Sequence, residues 1–347
     1  MSNFEQSINT ISEFSYSSVS SDEGIAIHND NIASATYKMS GSSGPSGKEN
    51  QDAHSINIIT SPNNGKKYII VCGCDGHGLY GKTLSSVTAD ELPHIIASHV
   101  DDILADTSIL YGIFESFNEI LRSRFSSFSS GGTTVTVLIK FDEGQICANL
   151  ADFDVITKID TDISNISITR DGILQQVTSI INQLTEDHSP HSIPESLRLL
   201  DLGCEIKYCS SNRSKEIDAY TITELDGVKT IKRVPWSRQC GAYSINLSGE
   251  IAMYIHHGLS TFNLSRSFGD FACAFMSPKP TITVVRYPSG TSTKTILGSD
   301  GYFNCFKTEQ LHEQLLLDSR TICSNGFKTV GKTFGYENGD NMTVIVV

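Results

Sequence analysis

Short apolar runs that end in Gly, Asn or Asp recur along the chain and predict β-strands joined by tight turns. The clearest run extends from Tyr68 to Cys72, between the turn residues Asn63-Asn64-Gly65 and a set of downstream glycines. Further strands are predicted at 25–28, 32–37, 55–59, 133–141, 145–152, 155–159, 295–297 and 342–347. The turn at Asp142-Glu143-Gly144 predicts that the three strands between 133 and 159 form an antiparallel meander.

Helical periodicity appears between the strands. It predicts a helix over 83–100, followed by a second helix that begins near Asp101-Asp102 and reaches roughly to Arg124. Shorter helices are predicted over 194–200 and 307–317. Two successive helices followed by hairpins favour antiparallel sheets with helices packed outside them.

Composition narrows the class of protein. The 347 residues are 39% hydrophobic and 19% charged, which is typical of a soluble globular protein. The formal net charge of −13 argues against nucleic acid as the main partner, because a phosphate backbone requires a cationic face. No apolar run is long enough to span a membrane. Nine cysteines without a C-x-x-C pair suggest reduced thiols in a cytoplasmic or nuclear protein.

The Tyr68–Cys72 strand leads into Asp75-Gly76-His77-Gly78, which combines a carboxylate, an unshielded carbonyl and an imidazole. Such a tip offers hard oxygen ligands and a proton donor. The same stretch allows a second interpretation, because 76–83 (GHGLYGKT) also fits the G-x-x-x-x-G-K-[ST] pattern of phosphate-binding loops. That alternative requires a parallel sheet in which strands and helices alternate, so the topology decides between the two.

Other acidic residues also stand at predicted strand ends or in the turns beside them: Asp52, Asp152, Asp270 and Asp300. Carboxylates that are brought close together repel one another and need cations. Oxygen-rich sites of this kind suit Mg²⁺ or Mn²⁺. A pair of such ions can activate a water for in-line phosphoryl displacement.

Eight motifs, in order, resemble the metal-dependent protein phosphatases of the phosphatase 2C family. They are GKENQDAH (47–54), CDGHG (74–78), GGTTVTVLI (131–139), ANLAD (148–152), LTEDHSP (184–190), LSRSFGD (264–270), LGSDG (297–301) and GDNMTVIVV (339–347). The resemblance implies an α+β fold: an antiparallel β-sandwich flanked by helices on both outer faces. It also implies a serine/threonine phosphatase that attacks phosphoserine or phosphothreonine with a hydroxide bridging two Mg²⁺ or Mn²⁺ ions, beside a weaker third ion.

The resemblance implies a role for each matching residue. Asp75 resembles the acid that bridges both metals, Gly76 supplies a carbonyl ligand, and Asp270 and Asp300 resemble ligands of the first metal. His77 resembles the general acid that protonates the departing oxygen. Asp152 resembles the acid that holds the third metal together with Asp270. The residues implied to lie around the metal ligands are Asp52, Asp340 and Asn341.

The chain departs from the family pattern at several positions. Gln51 stands where many members carry a glutamate ligand, and its amide oxygen can still bind a metal or a metal-bound water. Gly47 replaces a phosphate-binding arginine, for which the adjacent Lys48 could substitute as a point charge. Asp154 stands where the usual GDSR turn has its arginine.

The predicted organisation is a Ser-rich arm over 1–24 and a single catalytic domain over 25–347, with an atypical flap-like segment at 203–258. We expect a monomer that acts on phosphorylated proteins and binds neither nucleic acid nor membrane. The departures motivate an alternative function: a catalytically weak relative that serves as a binding or scaffold protein.

Overall fold

The computed structural model describes residues 14–17, 24–29, 31–37, 49–61, 63–127, 130–209, 216–234, 253–257, 260–333 and 340–347. The strands in these ranges are β1 Phe14–Ser17, β2 Gly24–Ile27, β3 Ala33–Tyr37, β4 Ala53–Thr60, β5 Lys67–Cys74, β6 Gly76–His77, β7 Gly132–Thr133, β8 Val135–Phe141, β9 Gly144–Leu150, β10 Asp154–Ile159, β11 Ser167–Arg170, β12 Ile173–Leu174, β13 Ile181–Gln183, β14 Glu205–Cys209, β15 Glu216–Asp218, β16 Tyr220–Leu225, β17 Val228–Arg233, β18 Met253–His257, β19 Ser260–Phe262, β20 Phe268–Gly269, β21 Thr281–Arg286, β22 Thr293–Gly298 and β23 Met342–Val346. The helices are α1 Gly81–Ser98, α2 Val100–Ala105, α3 Ile109–Phe125, α4 Ile193–Asp201, α5 Asp300–Phe303, α6 Thr308–Gln314 and α7 Ser319–Thr333.

Two large antiparallel sheets dominate the fold. The first sheet has the order β1-β4-β5-β8-β9-β21-β11-β12, and the second has the order β13-β10-β22-β23-β3-β2. Helices α1 to α3 pack on the outer face of the first sheet, and helices α5 to α7 pack against the second. The predicted α+β sandwich with helices on both outer faces is confirmed.

Three apolar clusters correspond to the layers of the sandwich. One joins the first sheet to α1 and α3 through side chains such as Leu92 and Phe114. A second, which includes Val71 and Leu297, fills the space between the sheets. The third joins the second sheet to its helices around Tyr302. Alternate strand residues therefore face different layers, as the two-residue period of a strand requires.

Every predicted strand overlaps an observed one, but the predicted meander is wrong in its third member. β8 and β9 pair in the first sheet, whereas β10 pairs with β13 and β22 in the second. The turn between them contains Ala151 with φ of +82°, and it carries the chain from one sheet to the other. The predicted helix from Asp101-Asp102 to Arg124 is also two helices, α2 and α3, and both aspartates lie inside the first turn of α2.

Two small sheets form in the predicted flap-like segment, 203–258, and β19 just after it completes one of them. The order β15-β14-β18-β19 makes one sheet, and β16-β17 forms a separate hairpin. The four-stranded sheet packs with α4 around Leu199, Ile206 and Phe275. In the predicted N-terminal arm, β1 pairs antiparallel with β4 at the edge of the first sheet. No helix in the part of the chain that the structure describes is long and apolar enough to cross a bilayer.

Candidate active site

A third, three-stranded sheet brings two of the acidic motifs together. β6 follows β5 directly and pairs with β7, which pairs in turn with β20. Strands of two residues contribute little stability by themselves, but they position other groups. Gly132-Thr133 lies between the tip of β5 and the end of the LSRSFGD motif. Asp75, His77 and Asp270 are therefore held at one end of the sandwich.

His77 and Asp270 contact each other directly. His77 Nε2 lies 2.7 Å from Asp270 Oδ2, and Ser267 Oγ donates to the same oxygen at 2.7 Å. Asp270 is almost fully buried and has φ of +44°, a left-handed conformation that aspartate tolerates better than most residues. The carboxylate therefore fixes the orientation of the imidazole. Its predicted role as a metal ligand stays a prediction.

Gly132 is required at its position because of this pair. A Cβ built on Gly132 would overlap Asp270 Oδ2 and would lie 2.7 Å from His77 Nε2. Any side chain here would separate the imidazole from the carboxylate. The glycine of the GGTT motif thus serves the contact between two other motifs.

The main chain of Asp75 is fixed by two threonines that follow Gly132. Thr134 Oγ1 accepts from Asp75 N at 3.1 Å, and Asp75 O accepts from both Thr134 N at 2.8 Å and Thr133 Oγ1 at 3.1 Å. Gly76 N donates to Gln51 O at 3.2 Å. The tip of β5 is therefore rigid, which a site that positions ligands requires.

Carboxylates from four other segments influence the ionisation of Asp75. Burial raises the pKa of Asp75 well above its usual range, and the charges of Asp52, Asp300, Asp340 and Asp152 raise it further. Asp152 behaves in the same way: burial raises its pKa first, and then the charges of Asp300, Asp187 and Asp154 do so. We call Asp52, Asp75, Asp152, Asp300 and Asp340 the acid cluster.

Asp154 extends the acidic region beyond the turn. Burial and the charge of Asp187 raise its pKa to about 7, although hydrogen bonds from Thr185 Oγ1 at 2.5 Å and Gln183 Nε2 at 3.1 Å act in the opposite direction. Repulsion between so many buried carboxylates lowers the stability of the folded protein unless cations neutralise their charges.

The chemistry of the acid cluster fits divalent metal ions. Its donors are carboxylate oxygens, the ligands that Mg²⁺ and Mn²⁺ prefer, and mutual repulsion is the condition that a bound cation relieves. Within the described ranges, no three His, Cys, Asp or Glu side chains converge closely enough to hold an ion as they stand.

Asp300 and Asn341 are joined through the second sheet. β22 ends at Gly298, and Asp300 is the first residue of α5. Between them, Ser299 Oγ accepts from Thr343 N at 3.0 Å, and Ser299 N donates to Thr343 O at 3.1 Å.

Asn341 Nδ2 donates to Glu49 O at 2.8 Å, and Asn341 N donates to Asp340 Oδ1 at 2.8 Å. Asn341 thus fixes the segment that leads to Gln51 and Asp52.

Gln51 supports the β6 loop from the opposite side. The side-chain Nε2 of Gln51 donates to Gly78 O at 2.8 Å, and the main-chain oxygen of Gln51 accepts from Ser85 Oγ at 2.5 Å. Asp52 is fully buried, and its main-chain oxygen accepts from Lys82 Nζ at 3.2 Å. Lys48 and Gly47 lie outside the described residues, so the contacts of the predicted phosphate-binding lysine are not described.

The topology contradicts the phosphate-loop interpretation of 76–83. Every strand pair in the five sheets of the described chain is antiparallel, whereas that motif requires a parallel strand before its helix. The lysine of the pattern, Lys82, donates to the main-chain oxygen of Asp52.

One buried ionic group was not predicted from the sequence. Glu195 of α4 is 3% exposed and accepts from Arg266 Nε at 3.0 Å, from Arg198 Nη2 at 3.0 Å and from Ser265 Oγ at 2.6 Å. Burial raises its pKa, but Arg266 and the other partners outweigh burial and bring the pKa to about 2. This group ties α4, which packs against the flap-like segment, to the motif that ends in Asp270. The i, i+3 spacing of Glu195 and Arg198 was the only signal in the sequence.

Comparison with known proteins agrees with this geometry. Residues 40–318 match the protein phosphatase 2C family. The chain belongs to the protein phosphatase 2C family. No match was found among the curated protein sequences.

Solved structures share the phosphatase 2C fold at low sequence identity. A serine-threonine phosphatase 2C from Toxoplasma gondii is 14% identical, has a TM-score of 0.58, and aligns over 97% of this chain and 99% of its own. A phosphatase from a pathogenic strain of Toxoplasma gondii is 12% identical, with a TM-score of 0.54 and coverages of 93% and 94%. A sex determining protein of C. elegans is 16% identical, with a TM-score of 0.52 and coverages of 92% and 65%.

Proposed function

We propose that this protein is a metal-dependent protein phosphatase that hydrolyses phosphoserine and phosphothreonine. The observation that carries the proposal is the acid cluster beside His77, in a chain of the phosphatase 2C family. Two Mg²⁺ or Mn²⁺ ions bound there, with a weaker third, would activate a water and neutralise the oxygens of the phosphoryl group.

The protein's own residues would then hold the metals and move the proton. Asp75, Asp300 and Asp152 are the proposed carboxylate ligands, to which we add Asp340 because its charge acts directly on Asp75. The carbonyl of Gly76 and the amide oxygen of Gln51 remain proposed ligands, as does Asp270. Asp52 and Asn341 would hold the surrounding segments.

His77 is the proposed general acid. Asp270 Oδ2 lies 2.7 Å from Nε2 of the imidazole and holds the orientation of the ring. A protonated imidazole can donate to the oxygen of a departing serine or threonine near neutral pH. Lys48 is proposed to attract the phosphate as a point charge.

The substrate would be a phosphorylated protein. The enzyme would act on it as a monomer in the cytoplasm or nucleus. Exposed cations on β17, Lys229, Lys232 and Arg233, offer a surface for acidic residues around the phosphate. The cysteines that the structure describes are all free, which suits a reducing compartment. Nothing in the overall charge of −13 favours nucleic acid.

The test is hydrolysis of a phosphothreonine peptide with Mn²⁺, with and without chelator. Asp75→Ala and Asp300→Ala should each abolish the metal-dependent rate, while Asp201→Ala, on the exposed end of α4, should leave it unchanged. Normal turnover by either acid-cluster variant would contradict the proposal.

A catalytically weak binding or scaffold protein is the second candidate. It is favoured by Gln51, whose side-chain nitrogen holds Gly78, in place of a charged ligand. Calorimetric titration with Mn²⁺ separates the two: a scaffold that has lost its metals should bind none, whereas the enzyme should bind and turn over.

A further inference from the structure

A cavity of about 640 Å³ lies at the end of the second sheet that is remote from the acid cluster. β22 begins at the cavity with Thr293 and Lys294, and it ends just before Asp300. At about 3.3 Å for each strand residue, roughly 20 Å separates the cavity from the proposed active site. The two are therefore distinct places in the fold.

Three lysines surround this cavity: Lys140, Lys158 and Lys294. Lys158 and Lys294 are direct partners in the register of β10 and β22. Like charges that stand directly opposite each other on paired strands destabilise a sheet. Lys140 comes from β8 in the other sheet, and its Nζ lies 3.4 Å from Thr293 O. Two sheets thus contribute cations to one concave surface.

The charge around the cavity opposes the charge of the whole protein. Asp160 is the only acidic side chain among the described lining residues, against three lysines, in a chain whose formal net charge is −13. Clefts lined by one sign of charge concentrate ligands of the opposite sign. An excess of lysines over acidic side chains on one concave surface points to an anion.

The ammonium groups keep hydrogen-bonding capacity for a ligand. Lys158 Nζ pairs with Asp160, and Lys294 Nζ donates to Leu317 O at 2.5 Å. Because an ammonium group carries three N–H donors, each lysine can donate further. Burial lowers the pKa of Lys140 to about 8, and a nearby anion would favour its charged form.

The remaining lining indicates the size and character of the anion. Besides the lysines, the lining includes the polar residues Asn29, Asn31 and Ser292 and the apolar residues Ile32, Leu315 and Leu316. The volume lies within the range of small-molecule sites and exceeds what one phosphate ion would fill. A phosphate group on the lysines with a small organic part against the apolar residues fits this mixed lining.

We propose that this cavity is a second ligand site, which binds a small phosphorylated molecule through Lys140, Lys158 and Lys294. The site is independent of the proposed catalysis, since it shares no residue with the acid cluster or with His77. Lysine binds phosphate as a point charge, so the site selects charge more than geometry.

Calorimetric titration of the full-length chain with inorganic pyrophosphate, in chelator, tests the proposal. Chelator removes the divalent ions that an anion would need at the acid cluster, so an anion bound under these conditions does not occupy the proposed active site. We expect saturable binding that weakens at least tenfold in Lys158→Gln/Lys294→Gln. Lys158→Arg/Lys294→Arg keeps both charges and should bind within threefold of the wild type.

Lys229→Gln/Lys232→Gln is the matched control, because it removes the same two charges from the exposed β17. It should leave pyrophosphate binding unchanged. Should the glutamine pair at 158 and 294 fail to fold, as judged by thermal unfolding, Lys140→Met carries the same expectation of tenfold weakening. Absence of saturable binding, or equal weakening in the β17 control, would overturn the proposal.

A second arm of the titration separates the possible sources of the phosphate. A phosphothreonine peptide should bind more weakly than pyrophosphate under the same conditions, since the cavity encloses a small ligand. Tighter binding of the peptide, lost in the 158/294 glutamine variant, would contradict a small-molecule site and assign the surface to phosphoproteins instead.

Discussion

His77 Nε2 lies 2.7 Å from Asp270 Oδ2, although 193 residues separate the two in the chain. The contact joins the only imidazole at the tip of β5 to a carboxylate that Ser267 also fixes. A proton donor whose ring is held by a buried carboxylate starts each reaction already oriented, which lowers the entropic part of the barrier.

Asp270→Asn should therefore lower kcat on a phosphothreonine peptide by about 10- to 100-fold, because general acid catalysis contributes about 10²- to 10⁴-fold and only part depends on orientation. The loss should be smaller on p-nitrophenyl phosphate, whose leaving group needs little protonation. His77→Gln is the comparison, and the double variant should lose little more than His77→Gln alone. Equal losses on the two substrates would show that Asp270 acts only as the proposed metal ligand and does not orient His77.

Gly132→Ala tests the same contact from β7, the central strand of the three-stranded sheet. Its Cβ would overlap Asp270 Oδ2 and crowd His77 Nε2, so the pair must separate or the strands must shift. We expect activity on the phosphopeptide to fall to the level of His77→Gln, with secondary structure retained by circular dichroism. Gly112→Ala, on α3 where a Cβ meets nothing within 4 Å, is the control and should remain fully active.

Asp75→Asn should raise the stability of the metal-free protein and lower its metal-dependent activity. The charges of Asp52, Asp300, Asp340 and Asp152 all oppose ionisation of Asp75, so a neutral amide relieves repulsion when no metal is bound. In chelator, we expect a higher Tm than that of the wild type. With Mn²⁺, the wild type should gain stability by mass action and the variant should gain less. A lower Tm in chelator would show that repulsion at Asp75 is not a destabilising feature.

The sequence predicted those parts of the site that depend on local chemistry. Asp75 and Asp300 could be located because apolar runs end beside them, and the phosphatase 2C resemblance ordered the motifs. The pairing of His77 with Asp270 could not be derived, since no local pattern encodes a contact across 193 residues. The transfer of β10 to the second sheet was missed for a similar reason: a two-residue period shows that a strand has two faces but not which sheet it joins.

Glu195→Ala should destabilise the protein by about 3–5 kcal/mol, because it leaves the half-buried Arg266 and Arg198 without their buried carboxylate. Denaturant unfolding measures this loss. Asp201→Ala provides the contrast within α4: it removes the exposed partner of Lys229, and a surface pair of this kind should give little measurable change. Similar effects of the two variants would mean that the Glu195 group is not stabilised by its burial and multiple partners.

Acidification should weaken the fold through His188. This residue is 3% exposed, and its Nδ1 accepts from Ala151 N at 2.8 Å while Nε2 lies 2.8 Å from Thr281 Oγ1. Burial, and after it the charge of Arg266, lowers the pKa of His188 from 6.5 to about 3, although the charge of Glu195 acts in the opposite direction.

The direction of the pH effect depends on whether the folded or the unfolded chain binds a proton at His188. Below pH 6.5 the unfolded chain protonates at His188 and the folded chain does not, so the free energy of unfolding falls with pH until about pH 3. The loss between pH 7 and pH 5 should be about 2 kcal/mol. His188→Gln removes this contribution while leaving the carboxylates in place, so the stability difference between wild type and variant should shrink by that amount in denaturant unfolding at the two pH values. A difference that stays constant from pH 7 to pH 5 would show that His188 is protonated in the folded protein.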